Sequence, residues 1–405
     1  MAVRTPARLV PLWPLFKAGY TRATRAVAPV TRRLSRARGG YLPRRGVATV
    51  DESIAAAGGR MWVAREREQI SRAVPTGEPP RHPRFVGDTE LVAPRLAVAE
   101  LPEARVLGRH RVVIDRRDTM IEEFGLYWGT QRWSEHQAFW HPFPDPPLEV
   151  DGMLGVLAGR GDLNYFHFMV DIFPRLALFE LDGVPTPDRW YMPLEQSWQR
   201  ELFELSGFLP SEGVIDADRE PHVRAEALLV PGMPDQHKRI PPWSIDFIRE
   251  RLRPPDSEVL PGKRIYVSRG SNPNNRIVRN EAEVMEVLAD RGFTVVDPAA
   301  HPMTEEIRLF AEAECIVSPH GAALTNLVFT SPGASVIELL APRYVEASYW
   351  KVADCIPGLT YRYLLGTGRM PRPGREERGV MDDITVDVAA LRRVLDSLPS
   401  EARVG

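Results

Sequence analysis

The alternation of apolar and polar positions is clearest after residue 259. Short apolar runs bounded by Gly, Pro or Asn alternate there with stretches of helical spacing. Strands are expected at 263–270, 293–298, 315–321, 334–340 and 359–365, and helices at 281–292, 304–314, 322–329 and 344–358. This order predicts a doubly wound α/β domain built on a parallel sheet.

A similar but looser pattern precedes it. Apolar runs at 111–117, 153–159, 189–193 and 223–232 predict strands, and helical spacing is found at 165–181 and 194–207. Proline-rich stretches at 75–102 and 139–147 predict irregular structure. The alternation of strands and helices between 151 and 232 predicts a second α/β domain with a parallel sheet.

Five segments follow from these patterns. They are a basic, disordered arm at 1–50, an N-terminal α/β domain with an irregular lead-in at 51–240, a linker helix at 241–258 between prolines, a Rossmann-like domain at 259–366, and a tail with a final helix at 367–405. Asp387 is expected to cap that final helix.

Composition excludes several classes of protein. Hydrophobic residues make up 43% and charged residues 26% of the 405 positions, as in ordinary soluble proteins. An apolar run approaching the ~18 residues of a transmembrane helix is absent from the sequence. Two cysteines exclude a disulfide framework. After residue 50 the chain carries 41 basic and 54 acidic residues, which argues against a nucleic-acid partner.

The arm has the opposite charge. Residues 1–50 contain eleven Arg or Lys and no acid before Asp51. Three interpretations stay open: a transit peptide, a segment attracted to anionic lipid with apolar contacts around 9–16, or a disordered basic tail. On this basis we expect a cytoplasmic protein at the inner surface of a membrane, with membrane contact through residues 1–45.

Chemistry-bearing residues follow three of the C-terminal strands. Arg269 and Arg276 suit phosphate oxygens. His320 and Gly321 form a turn before a helix of small residues, whose free backbone N–H groups favour an anion. Glu338 is an acid within an apolar strand and could accept both hydroxyls of a ribose. Together these groups predict a site for a nucleoside diphosphate.

A second constellation lies at 164–175. His167, Asp171 and Arg175 are spaced i, i+4, i+8 and share a helical face, with Asn164 at its start. A histidine oriented by a carboxylate is a competent general base. The alternative is a structural polar network that fixes the helix to the sheet.

Other motifs carry less. Asp216 and Asp218 have the DxD spacing of metal–nucleotide sites, but lie in an acidic stretch where chance matches are common, and we predict no metal site. Gly159 and Gly161 lack the third glycine of a dinucleotide fingerprint, which weakens an NAD-dependent oxidoreductase.

Three blocks of the sequence, NYFHFMVDIFPRL, IYVSRGSNPNNRIVRNEAEV and IVSPHGAALTNLVFTSPGASVIEL, in that order, resemble the family 61 glycosyltransferases, whose bacterial members serve capsular polysaccharide biosynthesis. The resemblance covers roughly 150–365. It implies a GT-B fold, with two Rossmann-like domains facing across a cleft. It also implies inverting, metal-independent transfer of a sugar from a nucleotide diphosphate donor, with no other cofactor and a UDP-sugar as the first expectation, to a glycan acceptor.

The resemblance also assigns roles. Arg269 and Arg276 would bind the diphosphate, and Glu338 the ribose. The turn at His320, Gly321 and Ala322 would add backbone donors, with Asn326 nearby. His167 and Asp171 would be catalytic, and Asn164 and Arg175 would lie on the acceptor side. Two alternatives stay open: a nucleotide-sugar epimerase on the same scaffold, and a non-catalytic polysaccharide-binding or scaffold protein.

Overall fold

The computed structural model describes residues 12–125, 132–234, 238–269, 276–369 and 379–398. The chain forms two compact units. Among the described residues, the N-terminal unit comprises those of Leu15–Glu68 and Val92–Lys238, and the C-terminal unit comprises 12–14, Gln69–Leu91 and those from Arg239 onward. The sequence predicted one division near residue 240, whereas the C-terminal unit also takes in the early segment Gln69–Leu91.

Eighteen strands are found in the described residues. They are β1 Arg45–Val47, β2 Arg60–Arg65, β3 Glu68–Ser71, β4 Thr76–Glu78, β5 Glu90–Ala93, β6 Leu96–Pro102, β7 Arg105–Leu107, β8 Val112–Ile114, β9 Thr119–Ile121, β10 Leu148–Val156, β11 Arg189–Met192, β12 Val214–Asp216, β13 His222–Pro231, β14 Arg264–Val267, β15 Phe293–Val296, β16 Cys315–Pro319, β17 Ser335–Leu340 and β18 Thr360–Leu365.

Twelve α-helices accompany them in the same part of the chain. They are α1 Trp13–Ala37, α2 Val50–Ala57, α3 Pro83–Val86, α4 Glu122–Gly125, α5 Tyr165–His167, α6 Leu176–Phe179, α7 Ser197–Leu205, α8 Pro242–Leu252, α9 Glu281–Ala289, α10 Met303–Glu312, α11 Ser348–Asp354 and α12 Val388–Asp396. Short 3-10 segments occur at Trp133–Glu135, Gln137–Trp140, Phe173–Arg175, Pro298–Ala300 and Ala322–Phe329.

The C-terminal unit holds a six-stranded sheet in the order β15-β14-β16-β17-β18-β4, and every neighbouring pair is parallel. The five strands and the doubly wound parallel sheet that the sequence predicted are present. Strands β16 and β17 are buried along their whole length, which explains their near-continuous apolar sequence. The sixth strand, β4, comes from the early segment of the chain.

The strand order matters for function. Counting from β14, the first five strands lie in the order 2-1-3-4-5, so the sheet has its topological switch point between β14 and β16. Open α/β sheets bind ligands beyond the carboxyl ends of the strands at this point. Arg269 lies two residues after β14, and His320 lies directly after β16.

The N-terminal unit has a ten-stranded mixed sheet. Strands β13, β10, β11 and β12 are parallel neighbours, as the sequence predicted for 151–232. Antiparallel pairing then joins β13 to β6 and β7, and β7 to β8. The N-terminal sheet is therefore mixed, and the prediction of a purely parallel, doubly wound N-terminal domain is wrong. The antiparallel strands lie at 60–121. Strand β6, of seven residues, lies in the stretch 75–102 that was predicted to be irregular from its prolines, and that prediction is wrong, whereas β7, β8 and β9 have only three residues each.

Residues 165–179 do not form the single regular helix that their spacing predicted. Helix α5 passes into a π-helical turn, Phe168–Ile172, then the 3-10 turn Phe173–Arg175, and then α6. Pro174 is the physical cause, because its ring lacks an N–H and clashes with the carbonyl four residues earlier. Single π turns within helices occur frequently at functional sites.

Residues 1–50, predicted as a disordered arm, contain α1 over Trp13–Ala37. Four small side chains recur on one side of this helix and are buried: Thr24, Ala28, Thr31 and Ser35. Their spacing of three or four residues is that of one helical face, which explains the helix. Within the described residues, the model contains no helix whose length and hydropathy would let it span a bilayer.

Candidate active site

His167 and Asp171 form a buried dyad in the N-terminal unit. Nδ1 of His167 lies 2.8 Å from Oδ2 of Asp171. The Oδ1 atom of Asn164 accepts the backbone N–H of His167 at 3.3 Å, so Asn164 caps the start of α5. The predicted i, i+4 contact is thus present, and it fixes the ring of His167 from one side.

The carboxylate of Asp171 uses only one of its two oxygens in this contact. Its side chain is 1% exposed, and its Oδ1 atom is buried without a hydrogen-bond partner among the described residues. A buried carboxylate oxygen left unpaired is costly, on the order of 1–3 kcal/mol. Such orphaned groups are characteristic of sites that keep a polar atom ready for a ligand or a proton.

Arg175 does not take part in this dyad by hydrogen bonding. Its guanidinium donates to the carbonyls of Leu157, Ala158 and Pro231 at 3.2, 3.2 and 2.8 Å. These carbonyls lie at the ends of β10 and β13. Complete burial lowers the pKa of Arg175 to about 9, although Asp171 and Asp162 oppose that shift. These three hydrogen bonds fit the structural alternative. The Nε atom of Arg175 is buried without a partner among the described residues, and its acceptor-side role stays a prediction.

The second cluster lies at the switch point of the C-terminal sheet. Nδ1 of His320 lies 2.5 Å from Oε1 of Glu338, and the hydroxyl of Tyr361 donates to Oε2 of the same carboxylate. The register of β16 and β17 pairs Ser318 with Glu338, which brings the carboxylate beside the histidine. The backbone N–H of His320 also donates to Leu339 O at 2.9 Å.

Two predicted donor residues, Glu338 and Asn326, lie in the predicted elements but are already bonded within the protein. Glu338 is completely buried and both its oxygens are already bonded, so direct contact with a ribose loses support. Asn326 is also completely buried, and its Nδ2 donates to Glu306 at 2.8 Å, which joins the 3-10 segment to α10. Glu338 thus holds the ring of His320, and Asn326 holds the 3-10 segment that follows Gly321. Burial lowers the pKa of His320, although Glu338 acts to raise it.

Arg269 and Arg276 are brought together beside His320. Nη1 of Arg269 donates to the carbonyl of His320 at 3.2 Å, and its Nε is buried without a partner in the described part of the chain. Burial and the charge of Arg276 lower the pKa of Arg269 to about 10. Two half-buried guanidinium groups side by side favour an anionic ligand.

Local geometry holds both arginines. A Cβ added at Gly321 would lie 2.1 Å from Nη1 of Arg269, so the glycine makes room for the guanidinium. Arg276 adopts a φ of 76°, and its guanidinium carbon lies 5.6 Å from the centre of the Tyr344 ring. Ala322 begins the 3-10 segment after Gly321, where backbone N–H groups are still without helical partners.

The DxD residues are structural. Asp218 pairs with Arg111, which is 1% exposed and also bonds Asp162 at 2.9 Å. Asp216 accepts the backbone N–H of Asp218. Within the described ranges, no group of three or more His, Cys, Asp or Glu side chains is arranged to hold a metal ion.

Sequence reasoning missed a cavity of about 790 Å³ in the N-terminal unit. Its lining includes Arg67, Arg95 and Arg160 together with the carboxylates of Glu66 and Glu122. Arg160 belongs to the loop that leads from β10 into α5, the helix of His167. The glycines on either side of Arg160 were the available signal, but they were considered only as part of a dinucleotide fingerprint.

Comparison with known proteins places these groups in context. Residues 165–337 match the model of the family Glycosyltransferase 61. The human protein O-linked-mannose beta-1,4-N-acetylglucosaminyltransferase 2 is 30% identical over 131 residues, which cover 31% of this chain and 22% of the relative. The enzymes of the same name from Bos taurus and Mus musculus are each 31% identical, over 112 residues (26% of this chain, 19% of the relative) and 124 residues (29% and 21%).

The aligned segment thus spans about a fifth of the length of these relatives. The family match begins at Tyr165 and ends at Ile337, so it contains His167, Arg269 and His320. The comparisons support a glycosyltransferase, and the stretch that matches family 61 holds the His167–Asp171 dyad, both arginines and His320, whereas Glu338 and Tyr361 lie beyond its end.

Proposed function

We propose that this chain is an inverting, metal-independent glycosyltransferase that moves a sugar from a nucleotide diphosphate donor to a hydroxyl of a glycan acceptor. The observation that carries the proposal is the arginine pair at the switch point of a parallel sheet. Arg269 follows β14 and His320 follows β16, where such sheets bind nucleotides. A UDP-sugar donor, a GT-B arrangement and a role in surface or capsular polysaccharide synthesis belong to the same proposal.

In the reaction, a hydroxyl oxygen of the acceptor attacks the anomeric carbon of the donor. The bond from that carbon to the nucleotide diphosphate breaks, and the configuration inverts. His167 takes the proton of the attacking hydroxyl, and Asp171 stabilises the imidazolium that forms. The nucleotide diphosphate leaves with the electron pair of the broken bond.

Negative charge gathers on the leaving diphosphate. Arg269 and Arg276 stabilise that charge, and the unpaired Nε–H of Arg269 is a donor ready for a phosphate oxygen. The backbone N–H groups at Gly321 and Ala322 add to this stabilisation. Two guanidinium groups thus supply the positive charge that a divalent cation supplies in metal-dependent transferases.

Glu338 acts through His320. A carboxylate that already accepts from Tyr361 accepts the Nδ1 hydrogen of the imidazole, and a neutral ring then presents Nε2 as a hydrogen-bond acceptor. Among the described residues, His320 makes no other side-chain hydrogen bond. An acceptor nitrogen suits a hydroxyl of the ribose, so His320 takes over the contact that the sequence assigned to Glu338.

The decisive experiment is a thermal-shift screen of the full chain with UDP, GDP, CDP, dTDP, CMP and NAD. Binding at 100 times the dissociation constant adds about 2.7 kcal/mol to stability, enough to move the unfolding midpoint by a few degrees. The expected result is a shift with one nucleoside diphosphate that is lost in Arg276→Ala. The matched control is Arg279→Ala, three residues further on and 63% exposed, which should keep the shift.

Activity on the identified donor then separates the alternatives. A transferase consumes the donor with an acceptor present and needs the dyad, so Asp171→Asn should lower kcat by roughly 10²–10⁴. A rearranged sugar nucleotide formed without acceptor would favour an epimerase. Binding of a polysaccharide with no turnover would favour a scaffold protein. A shift with NAD alone would overturn the proposal.

A further inference from the structure

Helix α1 is oriented opposite to what burial of apolar surface favours. The face toward the rest of the N-terminal unit consists of small side chains, Thr24, Ala28, Thr31 and Ser35, exposed by 1–7%. The large apolar side chains point outward, and they are Leu15 at 68% exposure, Phe16 at 57%, Val30 at 58% and Leu34 at 44%. A helix that served only the fold would bury these four and expose the small polar ones.

The outward residues form one stripe. At about 100° per residue, Leu15, Phe16, Val30 and Leu34 fall within an arc of roughly 100° on the helix. We define these four as the apolar stripe. Tyr20 lies between this arc and the buried face, 47% exposed, with its ring stacked on Trp140 at 5.6 Å. The stripe consists of two groups, Leu15 with Phe16 near the start of α1 and Val30 with Leu34 near its end. Exposed apolar groups on one side of a helix indicate an interaction surface.

Charge identifies the kind of partner. The sequence of α1 contains six basic residues and no acid. On the helical wheel, the arginines fall in a sector beside the apolar stripe, and Arg22, Arg33 and Arg36 are exposed. Arg25 and Arg32 face the protein, where Arg25 pairs with Glu135 at 3.2 Å and Arg32 lies over the ring of Trp133 at 4.7 Å. The outward face therefore combines apolar side chains with the positive charge of Arg22, Arg33 and Arg36, which form no ion pair with an acid among the described residues.

We propose that α1 lies along the surface of an anionic lipid bilayer, with the apolar stripe inserted among the lipid chains and Arg22, Arg33 and Arg36 against the phosphate groups. Apolar burial and attraction to anionic lipid are the two terms that hold an interfacial helix, and α1 offers both on neighbouring sectors. The buried face of small residues then attaches the unit to the helix. This inference does not depend on the proposed transferase activity.

The test is co-sedimentation of the full chain with vesicles. One preparation contains phosphatidylcholine alone, and the other contains phosphatidylcholine mixed with phosphatidylglycerol. The expected result is binding to the anionic vesicles only, weakened by salt. The charge variant carries Arg22→Gln, Arg33→Gln and Arg36→Gln. Each arginine near an anionic surface contributes about fivefold to partitioning, so the variant should lose roughly 100-fold.

The stripe variant carries Leu15→Ser, Phe16→Ser and Leu34→Ser, and should lose at least about tenfold because the inserted apolar area is gone. A matched control replaces two exposed apolar residues of the C-terminal unit, with Leu260→Ser and Val295→Ser, which are 41% and 50% exposed. It should bind like the parent. Circular dichroism and thermal unfolding of all three variants check that they are folded.

Three outcomes would overturn the inference. The first is failure of the parent chain to bind anionic vesicles. The second is that the charge variant loses binding while the stripe variant binds like the parent, which would show electrostatic adsorption without insertion. The third is a self-associated parent in analytical ultracentrifugation that becomes monomeric only in the stripe variant and ignores vesicles, which would make a second copy of the chain the partner.

Discussion

At His320, the bond to Glu338 decides which ring nitrogen is left for a ligand. If Nε2 accepts a ribose hydroxyl, the chain should bind UDP more tightly than one of the two analogues 2′-deoxy-UDP and 3′-deoxy-UDP. One neutral hydrogen bond contributes about 1 kcal/mol, so the preference should be roughly fivefold. Isothermal titration should show that His320→Phe abolishes it. A preference that persists in the variant would place the hydroxyl elsewhere.

The space beside Gly321 leads to a second prediction. Its φ is −179°, so alanine brings no backbone strain, but the new methyl group would collide with Nη1 of Arg269. The end of a flexible side chain can move aside, and the fold should survive. We expect Gly321→Ala to weaken nucleoside diphosphate binding by about tenfold, the loss of one charge-assisted hydrogen bond.

The control for that variant is Gly19→Ala, since a Cβ at Gly19 meets nothing within 4 Å. Its nucleotide affinity should equal that of the parent. A Gly321→Ala protein with unchanged affinity and unchanged melting temperature would mean that Arg269 does not hold the diphosphate from its present position.

The candidate site residues could be selected from the sequence, but the residues that they contact could be predicted only in part. The spacing of His167 and Asp171 is local, and a helical turn brings them together as predicted. Glu338 and His320 are eighteen residues apart, and only the register of two parallel strands makes them neighbours. The sequence indicates an acid in an apolar strand, which suggests a ligand contact, but it does not show that a histidine and a tyrosine already use both oxygens.

Arg175 connects secondary-structure elements: its hydrogen bonds join the helical segment that carries the dyad to the ends of β10 and β13. Replacing it with methionine keeps most of the volume and removes every donor, so three buried carbonyls lose a partner. We expect Arg175→Met to lower the free energy of unfolding by about 2–4 kcal/mol. Urea titration measures this loss. If Arg175 has no contact with the acceptor, the acceptor KM of the protein that remains folded should be unchanged, whereas a raised KM would restore the acceptor-side role.

The accuracy of element prediction followed burial and length. Strands β14, β16, β17 and β18 are buried along most of their length, and their apolar runs were recognised. Strand β15 has two exposed residues, but its run of Phe and Val was recognised as well. Strands β7, β8 and β9 have three residues each, too few for any period. The strand predicted at 111–117 contains β8, whereas β7 and β9 were not predicted. The spacing at 165–179 fitted a helix, but Pro174 imposed a π turn that a count of apolar positions does not register.

At the scale of the molecule, the limits of sequence reasoning lie in long-range pairing. Strand β4 completes the sheet of the C-terminal unit by pairing with β18, almost 300 residues later, with Thr76 opposite Arg362. A contiguous division of the chain could not include it. The orientation of α1 is a similar case, because the pattern shows an amphipathic basic segment but not which face the protein occupies.

Buried histidines make the stability of the N-terminal unit depend on pH. His136 donates from Nε2 to Gly125 O at 2.9 Å and accepts the N–H of Ala138 on Nδ1 at 3.1 Å, so both nitrogens are used by the neutral ring. Burial lowers the pKa of His136 to about 3, and those of His110 and His222 to about 4. Burial also raises the pKa of Asp162 to about 6, which opposes them in part.

The free energy of unfolding should fall as the pH falls, because the unfolded chain then binds more protons than the folded one. Below the ordinary histidine pKa of about 6.5, the unfolded chain takes up protons that the folded histidines refuse. Their contribution to stability is complete above pH 6.5 and is lost as the pH falls below it, until the folded pKa is reached. Each histidine contributes a slope of about 1.4 kcal/mol per pH unit. Near pH 5, the opposite contribution of Asp162 cancels that of about one histidine. The free energy of unfolding should therefore change there by about 3 kcal/mol per pH unit.

Urea unfolding at several values between pH 5.5 and 7.5 should therefore show a falling midpoint as the solution becomes more acidic. His136→Gln removes one titrating ring, so the variant should be less stable than the parent at pH 7.5 and lose stability more slowly on acidification, by about 1.4 kcal/mol per pH unit. His301→Gln is the control, because His301 is only partly buried and pairs with Glu305 near the surface. Equal slopes in the parent and in His136→Gln would show that His136 takes up its proton without unfolding, and that the hydrogen bonds to Gly125 and Ala138 do not hold the ring neutral.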